Sequence, residues 1–154
     1  MTIEIREISA AETRPVRQRV LRPHQRPEEL VYPGDDDADT FHLGAMNGEG
    51  ELLAILSMYR HAQPPLATDD EPLAWRIRGM ASVPEARGTG LGRVLVERAR
   101  DRVWAGTPQT GCDPIWCNAR ENAFGFYRKL GFEIVGGIFE IEGIGPHAVM
   151  VLSP

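Results

Sequence analysis

Lysine is almost missing from this chain of 154 residues; Lys129 is the only one. That excludes a nucleotide-binding P-loop, which needs a lysine directly after its glycines. Cysteine is nearly as scarce. Cys112 and Cys117 form no C-x-x-C, and they read as free thiols of a reducing compartment. No H-E-x-x-H or other metal-ligand spacing occurs, so no metal is expected. No apolar run approaches the roughly eighteen residues of a membrane span, and no basic-then-apolar leader opens the sequence. An excess of positive charge is also lacking. The net charge is −5 and the pI near 5.4, which argues against a general nucleic-acid binder. The length predicts one domain, 1–154, and these absences predict that it is cytoplasmic, with neither membrane nor nucleic acid as partner.

What is present is ordinary for a globular core, at 42% hydrophobic and 25% charged residues. Glycine is plentiful, and its placement is informative. Val83-Pro84-Glu85-Ala86-Arg87-Gly88-Thr89-Gly90-Leu91-Gly92-Arg93 puts three alternating glycines ahead of an amphipathic run, Leu91, Val94, Leu95, Ala99 and Val103. A loop of accessible backbone N–H groups thus opens into a helix N-terminus. Such an end has unpaired donors and a partial positive charge, and it suits a phosphate or pyrophosphate. A dinucleotide fingerprint beginning at Gly88 would need glycine at position 93, where Arg93 stands. A plain tight turn is the competing reading.

Elsewhere, Ile3, Ile5 and Ile8 suggest a first strand, and Ser9 with Glu12 forms a capping-box pattern. Pro15 predicts an interrupted or late-starting helix, 16–21. Residues 33–40 form an acidic, turn-rich loop that reads as solvated. Strands are predicted at 41–46, 52–59, 75–83, 115–118, 132–139 and 147–152. Helices are predicted at 91 to about 105 and 121–130, with Gly131 as the stop.

Arg87-x-x-Gly90-x-Gly92 resembles the pyrophosphate motif of the GCN5-related N-acetyltransferases (GNAT). A second segment, from Asn118 through Ala123 and Tyr127 to Gly131-Phe132, is similar to that family's N-x-x-x-x-A-x-x-x-Y-x-x-x-G-F pattern. The resemblance covers residues 74–152 and, more loosely, the whole chain. It implies an α/β (α+β) GNAT fold: a mixed, mostly antiparallel seven-stranded sheet, about four helices, and strands four and five splayed around the thioester. It further implies an enzyme that moves acetyl from acetyl-CoA to a primary amine by direct attack. A small-molecule acceptor is expected, and a homodimer is allowed. The alternatives are a non-catalytic acyl-CoA sensor and a longer acyl chain.

The resemblance assigns the pyrophosphate to Arg87, Gly88, Thr89, Gly90, Leu91, Gly92 and Arg93. It assigns the pantetheine arm to backbone at Ala81 and Val83 and to Asn118, and the thioester carbonyl to an N–H near Met80 or Ala81. Tyr127 is the candidate general acid, because a phenol with a pKa of about 10 keeps its proton at neutral pH; packing in the core is the other reading. For the base, His42, His147, Glu140 and Glu142 are candidates, and strand four offers no carboxylate on the face of Arg76, Arg78, Met80 and Ser82. His147 follows a glycine-rich loop that rims the acceptor site in that fold, and it is expected to be catalytic together with Tyr127. Arg78 needs a partner, either an internal acid or a substrate anion. With Arg22 and His42 it makes the expected acceptor-binding set, and His24 and Asp35-Asp36-Asp37 fall where the family builds acceptor specificity.

Overall fold

A computed structural model describes residues 2–64, 74–105 and 113–154. Seven strands follow one another along the chain: β1 (Glu4–Ile8), β2 (Phe41–Met46), β3 (Leu52–Tyr59), β4 (Trp75–Ser82), β5 (Ile115–Arg120), β6 (Glu133–Ile141) and β7 (Gly145–Leu152). They form one mixed sheet in the order β1-β2-β3-β4-β5-β7-β6. The helices are α1 (Ala10–Val16), α2 (Leu91–Ala105) and α3 (Phe124–Lys129). Short 3-10 turns at Pro27–Glu29, Pro84–Ala86 and Glu121–Ala123 and a π turn at Arg17–Leu21 supply the remaining helical backbone. Among the described residues, three α-helices and these single turns thus stand where about four helices were expected. The residues cluster in two compact units, 1–59 with 77–103, and 60–76 with 104–154.

In the first unit, β1 pairs antiparallel with β2, and β2 with β3. Every residue of β2 and nearly all of β3 are buried, so both faces of these strands are covered. That explains their continuous apolar sequence, 41–46 and 52–59, where the predicted bounds coincide with the observed ones. Helix α1 starts at Ala10, earlier than Pro15 suggested. Ser9 Oγ accepts from the Glu12 N–H at 3.2 Å, and Glu12 Oε1 accepts from the Ser9 N–H at 3.0 Å. This capping box fixes the first turn before Pro15 is reached. The proline has no N–H to give, and the backbone widens just beyond it, with the Arg22 N–H bonding Arg17 O at 3.0 Å. The buried face of α2 is Leu91, Leu95, Val96, Ala99 and Val103, while Val94 is exposed. Four of the five predicted apolar positions are thus buried, and Val96 takes the place expected of Val94.

In the second unit, β5 and β6 each pair antiparallel with β7. The parallel register between β4 and β5 joins Trp75 with Ile115 and Arg76 with Trp116. Ala74, Trp116 and Val151 form a buried apolar cluster with Val149 against it. Arg76 lies over the Trp116 ring, 5.0 Å from its centroid. Strand β5 runs two residues past its predicted end because Ala119 and Arg120 continue the ladder to Ala148 and His147. Gly131, at φ +96, ends α3 where it was expected to.

Candidate functional site

In the first unit the glycine loop has the form anticipated from its sequence. Gly88 and Gly90 adopt φ of +79° and +81°, and a Cβ at either would meet no atom within 4 Å. Their left-handed backbone explains why glycine stands there, and the empty space beside them leaves the backbone open to a ligand. Thr89 is exposed, and its hydroxyl donates back to the Ala86 carbonyl within the loop. The first intrahelical bond runs from the Val94 N–H to Gly90 O at 3.1 Å. The N–H groups of Leu91, Gly92 and Arg93 precede that bond, so they have no acceptor within the helix. Arg87 is exposed and Arg93 pairs with Glu97 at 2.6 Å, so their charges stay at the surface. These residues fit a pyrophosphate: donors, an exposed cation and backbone that nothing covers.

Val83 holds the strand exit. Its N–H donates to Leu53 O at 2.9 Å, and its carbonyl accepts the Ala86 N–H at 3.0 Å, which leaves that oxygen a second lone pair. Gly79 has φ +65° inside β4. A left-handed residue within a strand breaks its regular twist and re-aims the neighbouring groups.

The sequence reading missed a buried polar network in this unit. Arg17 is fully buried and forms a forked ion pair with Asp35, at 2.7 and 3.0 Å. It also donates to Leu30 O at 2.8 Å, Ser57 Oγ at 3.0 Å and Tyr59 Oη at 3.2 Å. The Tyr59 hydroxyl donates to Asp35 Oδ1 at 2.5 Å, and the Tyr32 N–H to Asp35 Oδ2 at 2.9 Å. Burial works against the Asp35 charge, yet the bonds from Arg17 and Tyr59 outweigh it and hold this carboxyl below its ordinary value. Burial and the carboxylate together push the Tyr59 phenol up. Of the acidic loop, Asp36, Asp37 and Asp39 are exposed as expected, but Asp35 is an interior anion.

His42 belongs to the same network. Its Nδ1 meets Ser57 Oγ at 2.6 Å, and its Nε2–H donates to the Asp35 carbonyl at 3.0 Å. Neither ring nitrogen is left for a base or for a substrate, so the acceptor-binding expectation for His42 is corrected. Arg22 is half-buried and donates to the Leu21 carbonyl at 2.7 Å. Arg78 is half-buried and stacks on the Tyr32 ring at 4.3 Å.

The second unit carries the remaining candidates. Tyr127 is buried, edge-on to Phe132 at 5.2 Å and to Phe126 at 5.0 Å. Burial, reinforced by Cys117, raises its phenol well above the ordinary value. Cys117 is a buried free thiol pushed up to about 12, burial again being the main cause. Cys112 lies outside the described residues. Asn118 is half-buried on β5, opposite Val149 of β7. His147 is buried, stacked on Phe139 at 6.1 Å, with Nδ1 at 2.8 Å from the Gly145 carbonyl. A carbonyl can only accept, so Nδ1 carries a proton, and in the neutral ring Nε2 holds the lone pair. Glu140 and Glu142 are exposed.

Comparison with known proteins bears on the family and the fold. Residues 40–134 match the family described as an acetyltransferase (GNAT) domain. The uncharacterized N-acetyltransferase YitI of Bacillus subtilis is 38% identical over 148 residues, spanning 96% of this chain and 94% of that protein. The peptidyl-lysine N-acetyltransferase YjaB of Escherichia coli is 35% identical over 71 residues, 46% of this chain and 44% of that one. The crystal structure of Escherichia coli ElaA superposes with a TM-score of 0.77 at 20% identity, over 99% of this chain and all of that one. Among the described residues no helix is long and apolar enough to cross a membrane. The chain belongs to the GNAT family and is an acetyl-CoA-dependent N-acetyltransferase.

Proposed function

We propose that the enzyme acetylates the primary amine of a small molecule by direct attack on the thioester, with no covalent enzyme intermediate. Acetyl-CoA supplies the activated acyl group. The observation that carries the reading is the open, left-handed glycine loop at the start of α2. There Arg87, Gly88, Thr89, Gly90, Leu91, Gly92 and Arg93 hold the pyrophosphate, largely through main-chain N–H groups. Ala81 backbone on β4 and Asn118 on β5 bind the pantetheine arm.

Tyr127 serves as the general acid. Its raised phenol keeps the proton at neutral pH and is a weaker acid than an ordinary phenol, so it gives the proton up only in concert with cleavage of the carbon–sulfur bond. His147 is the base. The bond to Gly145 O fixes the tautomer whose Nε2 accepts a proton. Arg22 borders the acceptor.

A peptide acceptor is the second reading. It is favoured by the relative named as a peptidyl-lysine acetyltransferase, which aligns with just under half of this chain. A thiol-release assay with acetyl-CoA separates the two. Amino acids, polyamines, amino sugars, aminoglycosides and lysine peptides are compared at equal amine concentration. Turnover led by a free small amine supports the proposal. Turnover confined to peptides replaces it with the second reading.

A further inference from the structure

Arg78 presents a cation that the described fold does not neutralise. Arg17, Arg19, Arg26, Arg60, Arg93, Arg100 and Arg102 all have carboxylate partners among the described residues. Arg78, half-buried in β4, has the Tyr32 ring instead. The acid associated with that ring is already committed. Asp35 bonds the Tyr32 N–H, but its carboxylate is taken by Arg17 and Tyr59. Arg17 also lies over Tyr32, 4.0 Å from its centroid. One aromatic ring therefore bears two guanidinium groups, one neutralised and one not.

The seat of the ring is built rather than incidental. A Cβ on Gly79 would come within 3.1 Å of Tyr32 Cε2, at a residue with φ +65°. The absence of a side chain next to Arg78 lets the ring close over the strand. The buried Arg17–Asp35 pair pins the segment that carries Tyr32. A stacked guanidinium keeps its edge and its N–H fork available for two oxygens of an oxyanion. A half-buried charge without a counter-ion is costly, and an anion bound there removes the cost.

We propose that Arg78, held on Tyr32, is the specificity-determining residue of the acceptor site and binds an oxyanion, carboxylate or phosphate, carried by the amine that is acetylated. This rests on the acetyltransferase reading above. Tyr32 is then a positioning residue.

Matched acceptors test the proposal: an amino acid against its amide, phosphoethanolamine against ethanolamine, and a peptide with an acid beside its amine against the amide form, with spermidine as the cationic control. The anionic member of at least one pair should show a KM lower by about 10-fold or more. Arg78→Gln should erase that difference, with Arg78→Lys intermediate, while the KM for acetyl-CoA changes by less than about twofold. Tyr32→Leu should raise the acceptor KM with kcat retained, and Tyr32→Phe should restore it. Calorimetry of each acceptor pair with CoA present gives a readout independent of turnover. If CoA binds but no amine is acetylated, the enzymatic reading fails, and calorimetric preference for the anionic member still decides the anion site. Equal binding within every pair, no acceptor binding, spermidine as the best acceptor, or equal loss for both pair members in Arg78→Gln overturns the proposal.

Discussion

Asp35 and Tyr127 sit in interior environments far from what their side chains would meet in water. The Arg17–Asp35 pair is entirely interior, its side chains 0% and 1% exposed. Removing one member strands the other, which costs about 3–5 kcal/mol. Asp35→Ala should therefore lower unfolding stability by that amount in urea melts; a loss below about 1 kcal/mol would mean that the pair is no better than a surface one. Tyr127→Phe should leave acetyl-CoA affinity almost unchanged and lower kcat about 100-fold if chemistry limits the rate. An unchanged kcat under that condition reduces Tyr127 to packing. Little of the Arg17 network was legible in the sequence. Its partners lie 13, 18, 40 and 42 residues away, and no local periodicity reports them. Asp35 was also masked by Asp36, Asp37 and Asp39, which are exposed as a charged loop should be. Glycine roles, in contrast, could be read because backbone torsion is a local property.

At the scale of elements, β2 and β3 could be bounded in the sequence because continuous apolar runs ended by Asn47-Gly48 and Arg60 admit little else. Helix α1 could not, since the capping box and Pro15 give opposing signals. The box prevails because it acts on the first turn, while the proline's missing donor matters only beyond it. Ser9→Ala should therefore destabilise the protein by about 1 kcal/mol, measurable as a shifted urea midpoint at constant slope. The loop before α2 makes a sharper prediction. Gly90→Val forces a branched residue to φ +81°, and Gly92→Glu brings negative charge to the helix start. Both should weaken acetyl-CoA binding in calorimetry at least about 10-fold, by backbone distortion in one and charge repulsion in the other. Two folded variants with wild-type affinity would rule the loop out as the pyrophosphate site.

The whole molecule should have a stability plateau bounded by its buried acids and phenols. Asp35 has a folded pKa below the unfolded value of about 3.9. Its contribution is full above that value and is lost as pH falls through the folded one. Tyr59 and Tyr127 are raised instead. Their contribution is present below the unfolded value of about 10 and is lost as pH rises beyond it. Urea melts should thus be level between about pH 5 and 8 and fall on both sides, the raised Cys117 thiol adding to the alkaline loss above its unfolded value of about 8.5. In Asp35→Asn the acid limb should flatten; an unaltered limb would assign acid unfolding to other groups.

The span of the Arg17 contacts has a kinetic corollary. A guanidinium cannot leave water until the segments bearing Leu30, Asp35, Ser57 and Tyr59 have all arrived. Loop closure over 42 residues precedes any gain from that last bond. The bonds should therefore form after the folding barrier is crossed, and Ser57→Ala should speed unfolding while refolding keeps its rate. Stopped-flow chevrons read this directly, and a slowed refolding arm would place the arginine in the nucleus. On this account the interior ion pair is a lock set late, which governs how long the native state persists once it has formed.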